Sequence, residues 1–378
     1  MLNILKKRIS NHLNSIFHDG DVEVTIYPTY GYLQGSDWLI PLRGWVHQNR
    51  RLPDDLINEL AQAVIGCQDA EMSNFSSRFD AFSDDSRSKQ VVTIQFDSDN
   101  DQHTFQMSDL NGLIEMTVRL PDAQAQALLA RQNSSDGWLS FNVVSNNHRG
   151  QGKIKLIEPQ GVSLVSDIDD TIKVTEVPGK RDVVLKNTFC RDFVPVQEMP
   201  DRYKALGNVA FHYVSGGPWQ LYPPLSDFIA SEGFPTGTFH LNYFPKNFLA
   251  EDTRELLLDS ILGSLGRTYD HKVEQITRLM ERFPGRKFIL VGDSGELDVE
   301  VYRRMRELFD KRVQEIWIRD VVNDEAVNNF RLKGVDTIIK ADKIVCTTEK
   351  HYERLSVIIQ REHQLPYVKN NLPPCGGG

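Results

Sequence analysis

Cysteine is scarce in this chain and widely scattered. Its four cysteines, Cys67, Cys190, Cys346 and Cys375, form no CxxC pair. That spacing speaks against a structural zinc site and a disulfide framework, and suits a reducing, cytoplasmic compartment. Long apolar runs are missing too. No stretch of about 18 apolar residues occurs, so no segment reads as membrane-spanning. The opening "MLNILKKRIS" lacks the apolar region and small-residue cleavage site of a secretory signal. There is no excess of basic residues: 43 Lys and Arg face 52 Asp and Glu, a net charge of −9. That balance excludes a nucleic-acid coat, because a phosphate backbone calls for a basic footprint. Internal repeats are absent.

What is present suits a soluble protein, with 40% hydrophobic and 25% charged residues. At 378 residues, two domains are expected. Leu2, Leu5, Ile9, Leu13 and Ile16 recur at helical spacing, with Lys6, Lys7 and Arg8 beside the stripe. Two readings fit: an interfacial helix on an anionic membrane, or, more ordinarily, a helix packed on its own domain. Short strand-like runs follow, from "DVEVTIYP" to "GKIKLIEP", broken by turn residues and one helical patch, "PDDLINELAQAVIGC". They read as a β-sandwich-like module over residues 1–158. From residue 159 to 365, strands such as "GVSLVS", "NVAFHYVS" and "KFILVGD" alternate with helices, the rhythm of an α/β domain with a mostly parallel sheet. Residues 366–378 read as a disordered tail.

The α/β half opens on an unusual cluster. "LVSDIDDT" places Asp167, Asp169 and Asp170 directly after an apolar strand. Carboxylates crowded at the end of a buried strand repel one another unless something offsets their charge. A second apolar strand ends in Asp293, within "GDSGELD". Mg²⁺ is held by one or two carboxylates with water and phosphate. Asp167 and Asp293 would suit it if their strands are neighbours. Asp167 could also attack phosphorus to form an aspartyl-phosphate. Asp169, on the same side of an extended chain, could then serve as acid and base, while Asp170 points away in a structural role. Thr171 could steady the loop through its hydroxyl. Phosphate would find donors at Ser215, with Gly216 and the next glycine letting backbone amides approach. Lys272 would be another, in the first turn of the helix "HKVEQITRLMERF". Cation and helix dipole oppose each other there, which a nearby anion would explain.

On these residues the chain resembles the haloacid dehalogenase-like (HAD) phosphatases. "LVSDIDDT", "FHYVS", Lys272 and "GDSGELD" match that superfamily's four motifs in order. More closely, "SDIDDTIKVTEV", "YVSGGPWQLYPPLSDFI" and "RFPGRKFILVGDSGELDVEVY" are similar to the actin-patch phosphatidate phosphatase family, whose catalytic domain is related to the lipin domain. The resemblance is strong over roughly residues 160–322 and weak before them. It implies a Rossmann-like catalytic domain and Mg²⁺-dependent hydrolysis of phosphatidate to diacylglycerol and phosphate. It implies Asp167 as nucleophile and metal ligand, and Asp169 as acid and base with its backbone carbonyl on the metal. Ser215 and Lys272 would hold phosphate, Asp293 would complete the metal site and Asp298 would support it. The substrate would be a phospholipid at a membrane surface, met by a cytoplasmic protein. The carboxylic acid at Asp169, where ion pumps carry Thr, fits rapid hydrolysis. The cap between Thr171 and Ser215 spans only 44 positions, which leaves a pocket open to a bulky substrate. No long proline-rich tail is present for recruiting partners.

Other readings stand beside this one. A phosphatase for a soluble phosphoester or phosphoprotein would share the motifs. A vestigial binding module would not need every catalytic position intact. Asp298 could instead cap the helix that follows. Arg319 could reach the pocket rim or pair with Asp320. His212 and His240 read as ordinary strand histidines. Asp97, Asp99 and Asp101 mimic an EF-hand start, but Gln102 and Ser108 replace its Gly and Glu, so a hairpin turn is expected. Asp84 and Asp85 also read as a turn.

Overall fold

A computed structural model describes residues 22–48, 53–242, 265–322, 331–345 and 347–349, with 351, 353 and 355. The amphipathic stretch 2–17, the tail 366–378, Cys346 and Cys375 lie outside the described residues.

The chain is a mixed α/β structure with two sheets. The first holds ten strands: β1 (Val22–Ile26), β2 (Thr29–Gln34), β3 (Asp37–Gln48), β4 (Asp85–Ser86), β5 (Thr93–Phe96), β6 (Gln102–Thr104), β7 (Leu113–Pro121), β8 (Trp138–Val143), β9 (His148–Arg149) and β10 (Gln151–Leu156). Its longest pairing is antiparallel, between β3 and β7. β3 alternates inward and outward over most of its length, as a strand with one core-facing side must. The aspartates of the EF-hand look-alike join the antiparallel pair β5 and β6, as expected of a hairpin. Asp85 is no turn residue: it pairs with Gln48 in the short β4.

The second sheet is parallel, in the order β13-β12-β11-β14-β15-β16. Its strands are β11 (Gly161–Ser166), β12 (Val209–Pro218), β13 (Gly237–Asn242), β14 (Arg286–Asp293), β15 (Val313–Asp320) and β16 (Thr337–Lys340). Residues alternate between two apolar layers. Leu164, Phe211, Ile289 and Val291 face one, and Val165, Ala210, Phe288 and Leu290 face the other. Burial on both faces is why these strands read as continuous apolar runs. β11 lies beside both β12 and β14, so chain direction across the sheet reverses there. Open α/β sheets bind ligands at such a reversal, beyond the carboxyl ends of the strands.

Eight α-helices are described: α1 (Asp54–Leu60), α2 (Met72–Ser83), α3 (Asp122–Arg131), α4 (Arg181–Leu185), α5 (Met199–Lys204), α6 (Tyr222–Ser231), α7 (Leu265–Arg282) and α8 (Asp298–Phe309). The first two come from the β-rich half, yet Leu56, Phe75 and Phe79 share one core with Val184, Phe189 and Leu164. Arg78 reinforces this contact by donating to the carbonyls of Thr188 and Arg191. Cys67 and Cys190, 123 positions apart, are joined by a disulfide with Cα atoms 5.7 Å apart. This corrects the reading that set disulfides aside. Pairing depends on proximity in space, which spacing along the chain does not report. No described helix is long and apolar enough to cross a membrane.

Candidate active site

Three neighbouring strands deliver the site. Asp167 follows β11, and its N–H donates to Val291 O of β14 at 2.9 Å. Asp293 ends β14, and Ser215 lies late in β12. Thr171 turns back and donates from Oγ1 to Asp167 Oδ2 at 3.0 Å. Asp167, Asp293 and Asp298 bring carboxylate oxygens within 4.8 Å of one another.

Lys272 enters from α7, but not as the sequence suggested. It lies about two turns inside the helix from Leu265, not in the first turn, so the helix dipole has little hold on it. Neighbouring carboxylates account for it instead. Its Nζ is 2.5 Å from Asp298 Oδ1, 2.8 Å from Asp167 Oδ1 and 3.7 Å from Glu296 Oε2. Burial works against the ammonium, yet these acids raise its pKa well above the usual lysine value. Asp298 stands in the first turn of α8, and its Oδ2 accepts from the Asp293 N–H at 3.2 Å. Its side chain thus links Lys272 to the end of β14. Gly292 makes room for it: a Cβ there would lie 2.4 Å from Asp298 Oδ2.

Glu296, inside "GDSGELD", escaped the sequence reading. Burial first, then the charges of Asp298 and Asp169, push its carboxyl up to about 7 despite Lys272. Burial likewise raises Asp167 and Asp293 well above the usual carboxylate range, with Asp298 adding to each. Three acids therefore surround Lys272, and a fourth, Asp293, adjoins two of them. Raised carboxyl pKa values give stability that is complete below the unfolded value and lost as pH climbs through the folded one. For Glu296 that window runs from 4.5 to about 7. In chelator, the melting temperature is expected to fall between pH 5 and pH 7.5. A flat profile would show that the acids do not strain the metal-free fold.

Could a cation relieve the crowding? Asp167 Oδ1 and Asp293 Oδ2 are buried without a hydrogen-bond partner. The ion pair of Lys272 with Asp167 Oδ1 is short but lacks hydrogen-bond geometry. Asp293 Oδ1, by contrast, accepts from the N–H groups of Gly295 and Glu296 at 2.6 and 3.1 Å. Two carboxylate oxygens without a hydrogen bond, on adjacent strand ends, form an all-oxygen donor set that fits a hard divalent cation.

Asp169 has partners of its own. Its Oδ1 lies 2.7 Å from Lys173 Nζ and accepts from Thr175 Oγ1 at 2.6 Å. Its Oδ2 lies 3.5 Å from Ser215 Oγ. Burial alone would raise this carboxyl, but Lys173 and Thr175 outweigh it and hold it below the usual range. Ser215 Oγ accepts from the Gly217 N–H at 3.0 Å. Gly216 packs so closely on Thr268 that a Cβ would come within 2.7 Å.

Asp170 is structural, as its position implied. With φ at 56° it turns the loop and accepts from the N–H groups of Thr175, Glu176 and Val177. Its own carbonyl accepts from Arg319 Nη1 at 2.8 Å, which ties that guanidinium to the aspartate loop. Asp170→Ala is expected to cost about 2–3 kcal/mol, since it orphans buried N–H groups. Denaturant titration would measure this; a loss below about 0.5 kcal/mol would remove Asp170 as the loop's organiser.

His212 and His240 are buried strand histidines, in line with expectation. Arg331 was not foreseen. It pairs with Glu300 and donates to the carbonyls of Ser294 and Glu296, bracing the loop after Asp293. No local pattern marks it, because its partners lie 31 to 37 positions away.

Residues 162–320 match the family model of the phosphatidate phosphatase APP1 catalytic domain. The resemblance to that phosphatase family therefore holds from β11 through β15. The phosphatidate phosphatase APP1 of Saccharomyces cerevisiae is 36% identical over 168 residues, 43% of this chain and 26% of that protein. An uncharacterized protein of Schizosaccharomyces pombe is 29% identical over 177 residues, 46% of this chain and 27% of its own length. The chain thus matches about a quarter of the length of each curated relative.

Proposed function

We propose that this chain is a phosphatidate phosphatase of HAD type, hydrolysing the phosphate monoester through an aspartyl-phosphate on Asp167. The observation that carries the reading is the pair of buried carboxylate oxygens without a hydrogen bond, Asp167 Oδ1 and Asp293 Oδ2, set at adjacent strand ends, with the Lys272 ammonium 2.8 Å from the first. The match of residues 162–320 to an APP1-type catalytic domain supports the substrate class.

Asp167 and Asp293, with the Asp169 carbonyl, would hold Mg²⁺, which supplies charge compensation for the phosphate when bound. Asp167 attacks phosphorus through a carboxylate oxygen, kept in place by the Thr171 hydroxyl. The Ser215 hydroxyl, the nearby glycine amides and Lys272 bind phosphoryl oxygens. Asp169 protonates the departing diacylglycerol alkoxide and later takes a proton from the attacking water. Lys173 and Thr175 favour its ionised form, which suits the second step. The negative phosphate of a bound substrate raises its proton affinity, which suits the first. A bilayer lipid as substrate implies work at a membrane surface.

A substrate panel with and without Mg²⁺, scored by phosphate release, tests this. Phosphatidate in mixed micelles is expected to be turned over at least about tenfold faster than water-soluble monoesters, and only with the cation. Faster turnover of the soluble esters would replace the lipid with a soluble phosphoester. No release from any monoester would end the enzymatic reading.

A further inference from the structure

We propose that the cleft between the two sheets is a second anion site, shaped for a phosphate group and separate from the acidic cluster. The cleft encloses about 320 Å³, at the small end of ligand pockets, which run from about 300 Å³ upward. Its walls come from β2, β3 and β7 on one side and from β13 and α7 on the other. No carboxylate of the catalytic cluster lines it.

α7 divides its side chains among three tasks. Lys272 meets the acids, and Ile276, Leu279 and Met280 enter the core. Gln275, Arg278 and Arg282, at helical spacing, line the cleft. Arg43 reaches it from β3. Three arginines thus meet in one small cavity of a chain whose net charge is −9; Glu115 is the one acid among the described lining residues, and Arg278 also pairs with Glu274 of its own helix at 2.5 Å.

The guanidinium groups are set in place. Arg282 donates to the Tyr30 hydroxyl and lies 5.5 and 5.4 Å from the ring centres of Tyr30 and Tyr32. Arg43 lies 5.8 Å from the Trp219 ring centre. Its Nε is 3.2 Å from Glu115 Oε1 yet has no hydrogen-bond partner, because the angle is unsuitable. Trp219 is 7% exposed, and its indole Nε1 is buried without an acceptor. A buried donor without an acceptor is rare, and here the Trp219 indole accompanies an arginine-lined cleft. An anion would provide the missing acceptor. Arginine forks favour phosphate oxygens, which they can bind two at a time.

Two sources carry that chemistry: free phosphate and a phospholipid headgroup. Both are tested on the full chain in EDTA, with inorganic phosphate by calorimetry and with phosphatidylglycerol vesicles by co-sedimentation. Phosphatidylglycerol is a diester, so it is not a substrate for monoester hydrolysis. Arg43→Gln/Arg278→Gln is expected to weaken binding of one probe about tenfold. Loss on phosphate assigns the site to a soluble anion, and loss on vesicles alone assigns it to a headgroup. Arg278→Gln, at a half-exposed position that tolerates change, should show about threefold on the same probe. Arg119→Gln/Arg304→Gln removes two charges elsewhere and should leave both probes within twofold. Changes below twofold for both cleft variants, or an equal loss in the charge-matched control, would overturn the proposal. The assay involves no turnover, so its outcome is separate from the phosphatase reading.

Discussion

Asp167→Asn is expected to lower phosphate release by at least about 10³-fold while the chain keeps its fold. An amide oxygen is a poor nucleophile, and Asn cannot form the acyl-phosphate on which turnover depends. Shape is retained, and the Thr171 hydroxyl can still donate to the amide oxygen. The stability outcome is equally specific. Burial holds the Asp167 carboxyl toward its neutral form against the pull of Lys272, and Asp298 and Glu296 add like charge; Lys272 keeps Asp298 as a partner when Asp167 is changed. Neutral Asn removes that repulsion, so the metal-free melting temperature should stay level or rise. Residual release within about tenfold of the parent would remove Asp167 as nucleophile. A large fall in melting temperature would show that its charge is structural instead.

Lys272→Met is expected to destabilise the protein by about 3–5 kcal/mol near neutral pH, because the variant leaves buried carboxylates without their cation. Met matches the length of the stem, so little of the loss comes from packing. The size should depend on pH. Lys272 lowers the proton affinity of Asp167 and Glu296, so its removal drives both carboxyl pKa values further up. Stability is then retained at pH 5, where those acids take up protons, and lost toward pH 8. Denaturant titrations at the two pH values check this, and an equal loss at both would show that Lys272 acts through packing. Phosphate release should also fall sharply, since the same ammonium faces the phosphoryl group in the proposed complex.

Both predictions rest on residues that stand out in the sequence. A carboxylate directly after an apolar strand is a local signal, and "LVSDIDDT" and "FILVGDSGELD" each carry it. Strands β11, β12 and β14 were legible because burial on both faces leaves an unbroken apolar run. α3 was not, because "DAQAQALLAR" buries only Ala125 and Leu128 and sits among strand-like runs. β16 is four residues long with two of them exposed, too weak a pattern to read. Glu296 was overlooked although it lies inside a quoted motif, since nothing in the spacing says which way its side chain turns.

By itself the sequence determined the strand ends, the acids and hydroxyl placed on them, and the order of the four motifs. These follow from side-chain period and backbone preference, which act over a few residues. Tertiary structure alone decided that β11 and β14 are neighbours, that Lys272 sits deep in α7 against three acids, and that Arg331 braces their loop. It also decided the link between Cys67 and Cys190 and the gathering of Arg43, Arg278 and Arg282 in one cleft. Those meetings depend on how whole layers pack, and residues far apart in the chain carry no local mark of the partners that packing will give them.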